Sequence, residues 1–89
     1  MWYIYILKCN DSSFYAGIST NVKERLKAHN SGKGSKYTRS HLPVTLLYIE
    51  ECDSRSKALK RELEIKSLSS ANKKRLIKHG HWLDVSLAT

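Results

Sequence analysis

The chain has 89 residues, 40% of them hydrophobic, and carries 16 Lys and Arg against 8 Asp and Glu, a formal charge of +8. That size allows one domain with one modest core and excludes a multi-domain assembly. No apolar run reaches the ~18–20 residues that cross a bilayer. The opening MWYIYILKC also lacks the basic lead and small-residue cleavage site of an export signal, so a cytoplasmic location is expected.

The basic excess is uneven. Arg25 to Ile49 contains no acid but holds Arg25, Lys27, Lys33, Lys36 and Arg39; Ile65 to Leu83 contains none but holds Lys66, Lys73, Lys74, Arg75 and Lys78. Blocks of one sign suit a polyphosphate partner and favour nucleic acid over a merely solvated surface. Cys9 and Cys52 show no metal-ligand spacing and read as reduced thiols in or near the core. His79 and His81 have an H-x-H form but no third ligand nearby, and read as a solvated helix end.

In chain order, residues 2–8 and 14–18 predict two antiparallel strands around an Asn10–Ser13 turn. Alternation sets Tyr3, Tyr5 and Leu7 on one face and Trp2, Ile4 and Ile6 on the other. Tyr15 and Gly17 share a face of the second strand, where the missing side chain leaves room for another backbone or a ligand. Asn21 and Glu24 resemble a capping box that starts a helix with Val22 and Leu26 as its apolar seam, ending near Asn30 before SGKG. Residues 31–43 then predict a basic loop, within which Tyr37 either stacks on a base or packs. Val44 to Glu51 reads as a third strand. A helix over about 55–68, capped by Asp53 or Ser54, and another over about 70–79, stopped at Gly80, complete a domain of residues 1–80 with a tail at 81–89. The expected fold is α/β (α+β): a small three-stranded antiparallel sheet flanked by helices, in the order β-β-α-β-α-α.

At about 100° per residue, Glu62 falls roughly 40° from Ala58, inside the buried stripe of its helix, whereas Glu64 falls on the outer face with Lys57 and Lys60. A core-facing carboxylate needs a cation or a metal. Lys66, one turn on, is one candidate partner and a metal ion is the other. Arg25 and His29, four apart, share a helix face beside the Val22/Leu26 seam. Arginine offers a permanent charge and a fork for phosphate oxygens, and histidine can move a proton near neutral pH. With Tyr5, Tyr15 and Glu62 they form a set that phosphodiester cleavage can use.

Tyr3-Ile4-Tyr5, then Tyr15-Ala16-Gly17, then Arg25-x-x-x-His29, a Gly/Lys loop and the Glu-bearing ALKRELEIKSL together resemble the GIY-YIG nuclease domain, in particular its small stand-alone bacterial branch. The resemblance spans about residues 2–78, with Tyr3 where the family has Gly and Ala16 where it has Ile. It implies that Tyr5 and Tyr15 are the motif tyrosines, one of them the general base for the attacking water. It further implies that Arg25 stabilises pentavalent phosphorus, that His29 assists proton transfer, and that Glu62 binds one divalent ion, Mg²⁺ with Mn²⁺ as substitute. Lys33, Lys36 and Arg39 are read as nucleic-acid backbone contacts. The expected function is a Mg²⁺-dependent endonuclease, with DNA favoured, directed to a structure or lesion in the manner of DNA repair. The expected state is a monomer, with room for a protein partner that supplies specificity and no membrane role. The alternative is a non-catalytic basic nucleic-acid-binding module on the same scaffold.

Overall fold

A computed structural model describes residues 1–79, so the expected tail lies outside the described residues. The strands are β1 (Trp2–Lys8), β2 (Phe14–Ser19) and β3 (Thr45–Cys52), and the helices are α1 (Val22–Asn30), α2 (Lys36–Arg39), α3 (Arg55–Lys66) and α4 (Ser70–His79). β1 is central in a sheet ordered β2-β1-β3 and runs antiparallel to both neighbours. No described helix is long and apolar enough to cross a membrane.

Alternation along β1 sorts the core into two layers. Tyr5 and Leu7 join Cys9, Val22, Val44, Leu46 and Ile49 on the α1 side, with Tyr3, Tyr15 and Leu26 packed against them. Ile4 and Ile6 join Ala16, Tyr48, Cys52, Ala58 and Ile65 on the side that also takes Leu76 and Ile77. Both cysteines are buried and unpaired, as their spacing predicts.

Local signals explain most boundaries. Asn21 caps α1 by accepting from the Glu24 amide (3.2 Å), but the return bond of a capping box is absent; the Asn21 amide donates instead to Ser19 Oγ (2.9 Å). Past the end of α1, Gly32 takes a φ of +82°, the left-handed conformation a glycine adopts cheaply, and its amide donates to His29 O. Ser54 settles the cap of α3 by accepting from the Lys57 amide, while Asp53 pairs with Lys57 Nζ at 3.1 Å.

Three expectations need correction. The 31–43 segment is not all loop, because Ser35 accepts from the Thr38 amide and starts the one-turn helix α2. The gap above Gly17 holds neither backbone nor ligand. Gly17 pairs with Tyr5 across the sheet, and the Tyr5 phenol lies over it so closely that an added Cβ would sit 2.5 Å from the hydroxyl. On α3 the buried positions are Ala58 and Ile65, with Leu63 largely exposed. The buried stripe is therefore centred nearer Glu62 than the leucine spacing suggests.

Helix α3 is fastened to β3 by polar as well as apolar contacts. Arg61 grips Glu50 through Nε (3.0 Å) and Nη2 (3.3 Å), and the Tyr48 hydroxyl donates to the same carboxylate. A two-point guanidinium–carboxylate fork fixes orientation as well as distance. This fixes the rotation of α3, and so the direction of Glu62.

Candidate active site

The centre of the site is a buried polar chain that begins on the middle strand. Tyr5 is 1% exposed, and His29 and Thr38 are fully buried. The Tyr5 hydroxyl meets His29 Nε2 at 2.9 Å, and His29 Nδ1 meets Thr38 Oγ1 at 2.7 Å. Thr38 Oγ1 donates onward to Ser35 O at 3.2 Å, so its lone pair is left to accept from Nδ1–H. That hydrogen-bond pattern assigns the tautomer: Nδ1 carries the proton, and Nε2 accepts from the Tyr5 hydroxyl. A buried imidazole with a free lone pair aimed at a phenol is a base held ready.

Burial decides the charge states. It drives the Tyr5 phenol up to about 12; the Arg25 guanidinium beside it pulls the other way, while negative charge at Tyr15 and Glu62 adds to the rise. Burial, helped by the Arg25 charge, pushes His29 down to about 4. His29 is thus neutral near pH 7, a correction to the expectation of a histidine titrating there. Arg25, half-buried on α1, acts on both groups. Tyr15 presents its ring edge-on to His29 with centroids 5.3 Å apart.

Glu62 comes from the opposite layer, yet its charge is felt at the Tyr5 hydroxyl. Its side chain is 17% exposed and meets Lys66 Nζ at 3.7 Å, too long for a hydrogen bond. Both partners weighed for Glu62 therefore stand: the lysine balances its charge, and the carboxylate oxygens keep lone pairs for a cation. No group of three or more His, Cys, Asp or Glu side chains gathers among the described residues. One carboxylate with water and phosphate oxygens as remaining ligands suits Mg²⁺, which keeps much of its hydration, better than a metal needing an all-protein cage.

Tyr5, Tyr15, Arg25 and His29 thus converge, with Glu62 within electrostatic reach. Lys33, Lys36 and Arg39 do not; they are exposed on the 31–35 loop and α2. Sequence reasoning missed Thr38, which fixes the His29 tautomer, and Gly34, where an added Cβ would lie 2.1 Å from His29 Nδ1 and 2.8 Å from His29 Cα. The S-x-x-T spacing of Ser35 and Thr38, a capping pattern ahead of a polar turn, was the available signal.

Residues 1–75 match the family described as the GIY-YIG catalytic domain. The chain belongs to the GIY-YIG family. Among curated relatives, a UPF0213 protein of Natronomonas pharaonis is 51% identical over 75 residues, covering 84% of this chain and 88% of that protein. A UPF0213 protein of Staphylococcus haemolyticus is 49% identical, covering 84% and 92%. The branch expected to be bacterial therefore extends to archaea. Solution NMR structures of a UPF0213 protein from Bacillus halodurans (43% identity, 88% of this chain and 84% of that one, TM-score 0.56) and of a protein from E. faecalis (39%, 92% and 93%, TM-score 0.59) share the fold. GIY-YIG domains are nuclease domains that generally use divalent metal ions, so nucleic acid is the substrate class implied at the level of the family.

A neutral, buried histidine ties stability to pH. The unfolded state binds a proton at His29 near the ordinary pKa of 6.5, and the folded state does so only near 4. Between these values the unfolded chain holds more protons, so stability rises with pH across that window and is lost on acidification. The loss from this group should reach roughly 3 kcal/mol by pH 4. Urea titrations from pH 7 to pH 4 should show it, and a His29→Gln variant should show a flatter profile.

Proposed function

We propose that this protein is a Mg²⁺-dependent endonuclease that hydrolyses phosphodiester bonds in DNA, with the Tyr5–His29 pair as its proton acceptor. The observation that carries this reading is the hydrogen bond from the Tyr5 hydroxyl to an imidazole that is buried, neutral and tautomerically fixed. A free phenolate is inaccessible near neutral pH, since moving the proton fully from Tyr5 to His29 is strongly uphill. The favourable route is concerted. Tyr5 takes a proton from the attacking water as its own proton passes to Nε2, and no isolated phenolate forms.

The water oxygen bonds to phosphorus while the bond from phosphorus to the 3′ oxygen breaks, leaving a 5′-phosphate and a 3′-hydroxyl that takes its proton from solvent. Arg25 is placed to balance charge on the pentavalent phosphorus. Tyr15, at the mouth of the site, orients the water. Glu62 would hold the divalent ion, which supplies Lewis-acid stabilisation of the leaving oxygen when bound. Lys33, Lys36 and Arg39, exposed and on one side of the site, supply backbone contacts that position DNA without reading its sequence. Nothing in such an arrangement reads a long sequence, which supports substrates chosen by structure or damage.

The test is nicking of supercoiled and branched DNA by the purified chain. Cleavage should require Mg²⁺ or Mn²⁺, disappear with chelator, and fall at least ~100-fold in Glu62→Ala. DNA binding without any metal-dependent, Glu62-dependent cleavage would leave the non-catalytic binding module as the correct account.

A further inference from the structure

Beside the candidate active site, β2, α2, α3 and α4 enclose a cleft of about 360 Å³ lined by Phe14, Tyr15, Ala16, Tyr37, Lys66 and Lys73. We infer that this cleft seats an unpaired nucleotide of a single-stranded segment, with the base against the Tyr37 ring and the phosphates at Lys66 and Lys73. The inference rests on the nucleic-acid reading above and adds to it the form of substrate the protein holds.

The aromatic wall is built and held. Tyr37 keeps 42% of its surface exposed although the core does not need it. Its ring lies nearly parallel to those of His41 (centroids 4.4 Å, 16°) and Tyr15 (6.2 Å, 15°). Its hydroxyl meets Ser13 Oγ at 2.6 Å, and Ser13 Oγ donates to Asp11, which also meets His41 Nε2 at 3.3 Å. The β1–β2 turn is joined to the same segment by Asn10, whose amide donates to His41 O at 3.0 Å and whose side chain donates to Leu42 O at 2.6 Å. An exposed aromatic face braced in this way has lost its conformational freedom before any ligand arrives, which favours binding.

Charge and shape select the occupant. Lys66 and Lys73 put positive charge at the rim of an apolar cleft, complementary to a phosphate backbone. The volume lies at the low end for ligand sites and suits one planar group. Bases within a duplex have both faces covered by their neighbours, so an aromatic face can stack only on an unpaired base. A second cleft of about 340 Å³ shares Phe14 and adds Lys8 and Lys74, extending the same pairing of aromatic and lysine towards the next nucleotide. Tyr15 links the first cleft to His29, so a strand lying there runs into the candidate active site. Lys33, Lys36 and Arg39 line neither cleft.

Fluorescence anisotropy with the full chain in EDTA separates this inference from catalysis. The probes are a labelled oligonucleotide of about 20 nucleotides and the same sequence as a duplex. The single strand should bind about tenfold more tightly or better. Tyr37→Ala should weaken single-strand binding by about 5- to 100-fold and leave duplex binding within about twofold, whereas Tyr37→Phe should keep most of the affinity. Lys73→Ala, an exposed-helix change that should not disturb folding, should lower the salt slope for the single strand by about 0.7. Equal affinity for both probes, or equal weakening of both by Tyr37→Ala, would overturn the inference and leave any nuclease activity untouched. Chelated metal makes the readout independent of cleavage, so failed hydrolysis with intact single-strand preference would sink only the catalytic reading.

Discussion

Tyr5→Phe is expected to slow Mg²⁺-dependent nicking by roughly 10²- to 10⁴-fold. The change removes one oxygen and keeps the ring that fills the space above Gly17. It also leaves His29 Nε2 buried without its partner, so a stability loss of about 1–3 kcal/mol should accompany the kinetic one. Rates are therefore to be measured well below the melting temperature. Because His29 sits near 4, the wild-type rate should hold steady from about pH 9 down to pH 5 and fall only below that, with no inflection near 6.5. Thr38→Ser keeps the oxygen that holds the tautomer and should retain most of the rate, whereas Thr38→Val should not. A large loss in Tyr15→Phe alongside near-normal Tyr5→Phe would move the general base to the second motif tyrosine.

Gly34→Ala should be the most damaging small substitution in the chain. Its Cβ would meet the His29 ring at 2.1 Å and the His29 main chain at 2.8 Å, and the second contact cannot be relieved by turning a side chain. Overpacking against fixed backbone costs about 3 kcal/mol or more, which for a domain of this size lowers Tm by roughly 10–20 °C. The imidazole must also leave its place between Tyr5 and Thr38, so activity should vanish even where the protein remains folded. Gly32→Ala is the comparison, because nothing lies within 4 Å of its added Cβ and only the positive φ penalises it. It should cost about 1 kcal/mol, and thermal melts of the two variants side by side would decide the matter.

What was readable from the residues and what was not divides along a physical line. Period-two alternation over residues 2–8 is a local property, so the β1 faces and the two-layer core followed from it correctly. The Asn21 cap and the breaker after Asn30 are also local, and α1 ends where they predict. Helix α2 was hidden because four residues give no periodicity. Gly17 illustrates a subtler limit: the need for space was legible, but its occupant depended on the β1–β2 register. The angular position of Glu62 on α3 was correct from helical geometry alone. What turns that face inward is the grip of Arg61 on Glu50, eleven positions away, for which no motif exists. Thr38 and Gly34 matter only because the chain folds back onto His29, and no spacing rule anticipates such a return.

One feature of the sheet bears on how such a protein would fail. The Tyr5 hydroxyl hangs from β1, which is hydrogen-bonded on both sides, while the imidazole that receives its proton belongs to a nine-residue helix on the periphery. Outlying helices fray at lower free energy than central strands open. Donor and acceptor therefore ride on parts of unequal endurance, and gentle warming would part them while the sheet still stands. Inactivation would precede melting, and the dormant protein would recover once the helix settled back.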